Sequence, residues 1–289
     1  MVYRLLAVNI DGTLVQDNGR IHKLTKEAIR YVQNKGIYIG LISSRHYHSV
    51  KKIAKSLKAD SIIISHQGAF TASQVDKPVF VKRINEEITF DLVRFLESFY
   101  CQIRLVHDDF SISNKVKSPD SLIGKTIWQR TSRNFYAQYF VDSLSDHIEK
   151  DPVSPPKIEV NFDNTSDLLD AKKAMEGMYD EVDIILTENL KFDIVPRGVS
   201  KLNGLINICE KIGIQMNEIV MIGSGVDDIP LIKKAGLGVA MGNAPDEVKR
   251  QADWVTRSNQ DHGVSYVVKE LFRRQQPIRF LQKMNMIDK

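Results

Sequence analysis

Four short stretches of the sequence carry side chains that could bind a phosphate group and a metal ion. They read "NIDGTL" (9–14), "ISSR" (42–45), "GVSK" (198–201) and "GSGVDD" (223–228). Hydroxyl groups, a lysine ammonium and glycine-flanked backbone amides can together hold a phosphate. Carboxylate and carbonyl oxygens are the ligands that Mg²⁺ prefers. Each stretch alone fits a turn or a solvated helix start, so the prediction rests on their joint occurrence.

The segments around these stretches predict an α/β fold. Apolar runs typical of buried strands occupy 3–8, 37–43, 61–65 and 218–225. Helical periodicity covers 25–36, 48–58, 200–213 and 227–236, and Thr25 is predicted to be the N-cap of the first helix. Buried strands that alternate with helices indicate a parallel sheet covered on both faces. Ligands of such sheets bind beyond the carboxyl ends of the strands, so the four stretches are expected at one edge.

A second domain is predicted between the two halves of this pattern. From about 84 to 190 the apolar and polar residues alternate, as in "IRLVHDDFSIS" (103–113) and "KIEVNFD" (157–163). Alternation is typical of half-buried antiparallel strands. Helices are expected at 87–100 and 165–178, which makes this region α+β. The predicted organisation is a core domain of residues 1–83 and 191–289 with a domain of residues 84–190 inserted into it.

The four stretches, in this order, resemble the motifs of the haloacid dehalogenase-like (HAD) phosphatases. Within that superfamily the sequence is similar to the Cof-type sugar-phosphatase-like branch, whose closing motifs resemble "GVAMGNA" (238–244), "ADWVT" (252–256) and "DHGV" (261–264). The resemblance covers nearly the whole chain. It implies a Rossmann-like core, an inserted cap domain that covers the site, Mg²⁺ as cofactor and small phosphorylated metabolites as substrates.

The resemblance also implies a role for each matching residue. Asn9 holds the position of the nucleophile, and Asp11 that of the general acid/base. The implied phosphate-binding residues are Gly12, Ser43, Ser44 and Lys201, and Arg45 matches an arginine that meets substrate or cap. The implied metal positions are Asn9, Asp11, Ser224, Asp227 and Asp228.

Two of these positions depart from the family in a way that predicts weak or absent hydrolysis. The family has aspartate where this chain has Asn9 and Ser224. An amide is a poor nucleophile, and a neutral hydroxyl is a weak ligand for a hard dication. Removal of the nucleophile costs on the order of 10⁶-fold in turnover in a serine protease. Mg²⁺ is therefore expected to bind weakly or only beside a ligand, with Lys201 contacting one of the nearby carboxylates.

Three functions remain open at this point. The first is a phosphatase with full or residual activity, and the second is a non-catalytic sensor or regulatory module that binds phosphorylated metabolites. The third is a protein-interaction scaffold that keeps only the fold. Retention of Asp11, Ser43 and Lys201 argues against the scaffold, whereas Asn9 and Ser224 favour the binding module over the phosphatase.

Composition excludes several other classes. The 289 residues are 43% hydrophobic and 26% charged with a net charge of +4, which is typical of a globular protein and gives no indication of nucleic-acid binding. No segment has the length of apolar sequence that a membrane helix needs. Cys101 and Cys209 lie outside any metal-binding spacing and predict free thiols in the cytoplasm. His46 and His48 are predicted to be surface residues.

Overall fold

The chain forms two compact units. The computed structural model describes residues 2–115, 137–188, 190–284 and 286. Unit 1 comprises Met1–Arg45, Val50–Phe80 and Ser200–Lys289, and unit 2 comprises His46–Ser49 and Val81–Val199.

Strands and helices alternate along most of unit 1, and both types are also interspersed in unit 2. The strands are β1 (Leu5–Asn9), β2 (Tyr38–Ile42), β3 (Ser61–Ser65), β4 (Phe70–Gln74), β5 (Lys77–Val81), β6 (Cys101–Val106), β7 (Phe110–Asn114), β8 (Ala137–Val141), β9 (Lys157–Phe162), β10 (Val182–Glu188), β11 (Lys191–Pro196), β12 (Ile219–Gly223), β13 (Leu237–Ala240) and β14 (Trp254–Val255). The α-helices are α1 (Lys23–Asn34), α2 (Tyr47–Leu57), α3 (Glu86–Leu96), α4 (Leu144–Lys150), α5 (Thr165–Met178), α6 (Lys201–Ile212), α7 (Ile229–Lys234), α8 (Asp246–Lys249), α9 (Gly263–Phe272) and α10 (Ile278–Lys283). In the described parts of the chain, no helix has the length and apolar character needed to cross a membrane.

The sheet of unit 1 is mainly parallel. Its strand order is β14-β13-β12-β1-β2-β3-β4-β5, and every pair from β14 to β3 is parallel. The antiparallel pair β3–β4 follows. In this order β1 lies between β12 and β2, so the ends of three strands from distant parts of the chain become neighbours. The α/β fold predicted from the sequence is confirmed.

Burial on both faces of this sheet explains why its strands read as continuous apolar runs. Leu5 and Ala7 on one face of β1 belong to a core that includes Leu205 and Ile208 of α6. Leu6 and Val8 point to the opposite face, because side chains alternate along a strand, and they are also fully buried. A strand buried on both faces has no polar positions to alternate.

Unit 2 contains a six-stranded sheet, and three helices from the described residues pack against one of its faces. The strand order is β10-β11-β9-β6-β7-β8. Leu92 of α3, Ile148 of α4 and Leu168 of α5 share one hydrophobic core with Ile103 and Val160 of the sheet. The alternation of the sequence thus arises because the apolar positions face this core and the polar positions face the opposite side of the sheet.

The other face of the unit 2 sheet carries buried charges. Lys157, only 1% exposed, lies 2.7 Å from Glu159 and 3.2 Å from Asp193, which is fully buried. Arg104 lies 3.5 Å from the other oxygen of Glu159. Burial alone would raise the pKa of Glu159, but the neighbouring cations Lys157, Lys191 and Arg104 hold it well below its usual range.

Three local expectations are corrected by the structure. α1 begins at Lys23, and its N-cap is His22, whose Nδ1 accepts from Leu24 N, so Thr25 is not the cap. β7 and β8 pair in parallel, although alternation predicted antiparallel strands; alternation reports one-sided burial and not strand direction. His46 is buried rather than on the surface.

Candidate phosphate-binding site

A tight loop after β1 carries the first group of site residues. Val15 N donates to Ile10 O at 3.0 Å and closes the loop. Inside it, Gly12 has a φ of +63°, and a Cβ at this position would lie 2.8 Å from Ser224 Oγ. Both the backbone conformation and the close approach require glycine. Gly12 thereby brings the loop against the segment after β12.

Asn9 and Ser224 converge on one carboxylate. Asn9 Nδ2 donates to Asp228 Oδ2, and Ser224 N and Gly225 N each donate to the same oxygen at 3.0 Å. Asn9 Oδ1 accepts from Ile10 N at 2.7 Å, so both ends of the amide have a partner. The stretches at 9–14 and 223–228 thus meet beside β1 and β12, as expected for one edge of the sheet. We call Asn9, Asp11, Lys201, Ser224, Asp227 and Asp228 the carboxylate centre.

Lys201 supplies the cation between the two carboxylates after β12. Its Nζ lies 2.8 Å from Asp227 Oδ2 and 2.8 Å from Asp228 Oδ1. Burial alone would lower the pKa of Lys201, but the two carboxylates outweigh it and raise the pKa above its usual value. For Asp227, burial alone would raise the pKa, but the Lys201 ammonium outweighs burial and holds the pKa below its usual value. The predicted contact of Lys201 with a site carboxylate is confirmed for both aspartates.

Asp11 is held by Arg45. Arg45 Nε donates to Asp11 Oδ2 at 2.8 Å, and Nη2 pairs with the other carboxylate oxygen. The carbonyl oxygen of Asp11 accepts from Ser224 Oγ at 3.0 Å, and Thr13 Oγ1 donates to the same hydroxyl oxygen at 3.0 Å. The Asp11 side chain is 52% exposed, so its carboxylate stands at the solvent side of the centre.

The two serines after β2 form the turn that carries Arg45. Ser43 is fully buried, and its Oγ accepts from Arg45 N at 3.0 Å. Ser43 N donates to Ile64 O at 2.9 Å, which ties the turn to β3. Ser44 lies between them and is half-buried. The structure thus links Ser43 to Asp11 through Arg45.

Two further residues belong to the site but were not predicted. Gln67 Nε2 donates to Asp227 Oδ2 at 3.2 Å from a loop in which His66 and Gln67 have φ of +49° and +58°. Asn243 Nδ2 donates to Gly12 O at 2.8 Å. The sequence signal for Gln67 was the glycine in "HQGAF" after β3, and that for Asn243 was its place in "GVAMGNA".

The oxygens of the carboxylate centre do not fit Mg²⁺ as they stand. Mg²⁺ demands near-octahedral oxygen ligands at about 2.0–2.1 Å. Here the Asn9 amide nitrogen and the Lys201 ammonium contact Asp228, and the Asp11 carbonyl accepts from a hydroxyl. Within residues 2–115, 137–188, 190–284 and 286, no group of three or more His, Cys, Asp or Glu side chains is placed to hold a metal ion.

Comparison with known proteins identifies the family. The model of haloacid dehalogenase-like hydrolases matches residues 6–268 of the chain. The chain belongs to this family. The resemblance inferred from the four motifs is therefore confirmed.

Relatives of this HAD protein include named phosphatases. It is 48% identical over 286 residues to "Stress response protein YhaX" of Bacillus subtilis, with 99% of each chain covered. It is 26% identical over 273 residues to "5-amino-6-(5-phospho-D-ribitylamino)uracil phosphatase YcsE" of the same organism, with 92% of this chain and 94% of that protein covered. The crystal structure of TM0651 from Thermotoga maritima matches with a TM-score of 0.76 and 27% identity. The match covers 93% of this chain and 98% of TM0651. The HAD protein is thus phosphatase-like in fold and sequence.

Proposed function

We propose that this HAD protein binds small phosphorylated metabolites at the carboxylate centre and hydrolyses them slowly or not at all. The observation that carries the proposal is the hydrogen bond from Asn9 Nδ2 to Asp228 Oδ2. Asn9 occupies the position that the family gives to the attacking aspartate. An amide nitrogen that donates to a carboxylate offers neither the charge nor the free lone pair that attack on phosphorus needs.

The residues proposed to hold the phosphate are those that the family resemblance assigns. Lys201 and Arg45 supply positive charge, Ser43 and Ser44 supply hydroxyls, and the loop at Gly12 supplies backbone amides. Arginine and lysine are the usual phosphate partners in proteins. The name of YcsE gives that protein a phosphomonoester substrate, which supports the same ligand class here. In this proposal unit 2 is the cap domain.

A second candidate is slow hydrolysis by direct attack of water. It is favoured by Asp11, whose carboxylate is retained and half exposed, so that it could accept a proton from a water molecule. Both oxygens of that carboxylate contact Arg45, and the contact must open before Asp11 can act. In this candidate Asp11→Asn removes the residual activity, whereas in a pure binding module it changes no rate.

The location proposed for the protein is the cytoplasm. Cys101 and Cys209 are both free and buried. Burial raises the pKa of each thiol to about 12, so neither is a reactive thiolate. Free buried thiols are typical of proteins from a reducing compartment. The proposed partners are phosphorylated metabolites, without nucleic acid or membrane.

A phosphatase screen tests the proposed function. A panel of phosphomonoesters is assayed with Mg²⁺ on the natural chain, on each single variant and on Asn9→Asp/Ser224→Asp. We expect no significant turnover by the natural chain and a gain in the double variant larger than the two single gains combined, since residues that act as a unit are non-additive. Turnover by the natural chain at about 1 s⁻¹ or faster, an ordinary enzyme rate, would overturn the proposal.

A further inference from the structure

We infer that the carboxylate centre works without a divalent cation and takes its phosphate ligand as the free anion rather than as a metal complex. The inference rests on the proposed function and deepens it. It arises from hydrogen bonds that occupy the oxygens a metal would need.

The Asp228 carboxylate already has a counter-charge and hydrogen-bond donors from the protein. Its carboxylate is fully buried, and a buried charge needs a counter-charge and hydrogen bonds. Lys201 Nζ provides the charge at Oδ1, and three N–H donors from Asn9, Ser224 and Gly225 converge on Oδ2. An ionised carboxylate offers about four acceptor sites. With four donors in place, Asp228 is satisfied without a metal.

The Asn9 amide avoids placing a second carboxylate beside Asp228. An aspartate at this position would place two carboxylates within hydrogen-bond distance, and two such groups repel unless a cation lies between them. The amide removes that conflict, because it presents a donor to Asp228 and an acceptor to Ile10 N. The asparagine therefore replaces both a negative charge and the cation that the charge would require.

Ser224 likewise supplies a hydrogen-bond donor where the family motif implies a metal contact. Its hydroxyl donates to the carbonyl oxygen of Asp11, which is one of the implied metal positions, at 3.0 Å. An O–H donor thus satisfies an oxygen that a cation would otherwise polarise. The two departures from the family motif are coherent, since each puts a hydrogen-bond donor where the family would place a metal contact.

Charge balance indicates how the phosphate enters. Arg45 pairs with Asp11, while Asp227 and Asp228 share Lys201. A phosphate must therefore compete with a carboxylate for Lys201. Asp228 is anchored by three other donors, whereas Gln67 Nε2 lies 3.2 Å from Asp227. We expect the phosphate to displace the Asp227 carboxylate from Lys201.

Titration with inorganic phosphate tests the inference. Calorimetry is run on the full chain in EDTA and again in Mg²⁺, and thermal unfolding is followed with Mg²⁺ alone. We expect the Kd for phosphate to agree within about twofold between the two conditions and Tm to stay unchanged with Mg²⁺ alone, because a ligand that does not bind the folded state cannot stabilise it. Asn9→Asp/Ser224→Asp should gain both a Tm increase with Mg²⁺ and tighter phosphate binding.

Each contrary result has a distinct meaning. Phosphate binding at least about tenfold tighter with Mg²⁺, or a Tm increase of the natural chain with Mg²⁺ alone, overturns the inference and leaves the proposed function standing. A folded chain that binds phosphate under neither condition overturns the proposed function and the inference with it. Asn18→Asp/Ser56→Asp makes the same chemical changes at two exposed positions and controls for added charge.

Discussion

Lys201 Nζ lies equally close, at 2.8 Å, to a carboxylate oxygen of Asp227 and to one of Asp228. The two contacts differ in what surrounds them. Asp228 accepts hydrogen bonds from the Asn9 amide and from two backbone N–H groups. The Asp227 carboxylate is slightly exposed and accepts a hydrogen bond from Gln67. The ammonium is therefore shared between two carboxylates, of which Asp228 has more hydrogen-bond donors around it.

Asp227→Asn should strengthen phosphate binding. The change removes the negative charge that competes for Lys201 and keeps a side chain of the same shape. We expect the Kd for inorganic phosphate to fall by about 3–10-fold, since removal of one nearby like charge is worth on the order of 1 kcal/mol. Calorimetry measures this, with Asp246→Asn at an exposed position as control. An unchanged or larger Kd would show that Asp227 does not compete with the ligand.

Below pH 6.5 the stability of the protein should fall because of His46. Its Nε2 lies 2.7 Å from His107 O and its Nδ1 accepts from His48 N, so the ring is held neutral. Burial lowers the pKa of His46 to about 4, and the charges of His48 and Lys157 add to this effect, while the His107 carbonyl and Asp108 oppose it.

The sign of the pH effect follows from proton binding. Between pH 6.5 and about 4 the unfolded chain binds a proton at His46 and the folded chain does not, so the free energy of unfolding falls as the pH falls, by up to about 3 kcal/mol. Urea unfolding at several pH values should show a flatter dependence for His46→Gln. His147→Gln, at a half-buried position, serves as control. Equal slopes for His46→Gln and the natural chain would contradict the assignment.

Lys157→Met should destabilise the protein strongly. The change takes the ammonium away from Glu159 and from the fully buried Asp193. Removal of one member of a buried ion pair costs about 3–5 kcal/mol, because the remaining charge is left without compensation. Lys115→Met removes the exposed pair with Asp142 and should cost less than about 1 kcal/mol. Denaturant unfolding of both variants compares them, and similar losses would refute the argument.

Gly68→Ala should prevent the loop after β3 from packing correctly. A Cβ at Gly68 would lie 2.1 Å from Ser200 O, beside the start of α6, and the φ of this glycine is +101°. Gly19 also has a positive φ, of +73°, but a Cβ at this position would meet no other atom within 4 Å. We expect about 1 kcal/mol for Gly19→Ala from backbone strain alone, and a clearly larger loss of unfolding free energy for Gly68→Ala. Equal losses would show that the close approach is relieved elsewhere.

The sequence predicted the parts of the site that local motifs define. The stretches at 9–14 and 223–228 follow buried strands, and parallel pairing of β1 with β12 brings them together. It did not predict Gln67, because the contact of Gln67 with Asp227 joins residues that are 160 positions apart in the sequence. The spacing of His46 and His48 at a helix start predicts surface residues, whereas the burial of His46 depends on its contact with His107, which is distant in sequence. Non-local packing determined both of these misses.

The position of β1 beside β12 also has a consequence for how the protein is made. Asn9 and Asp228 are separated by 219 residues, so closing that loop costs about 5 kcal/mol of chain entropy before the contact forms. A ribosome adding about 5–20 residues per second needs on the order of ten seconds or more to synthesise the intervening chain. During that time the first strand can pair with β2 alone. The carboxylate centre is therefore complete only after the chain has been synthesised through Asp228, and ligand binding there would report that this long-range contact has formed.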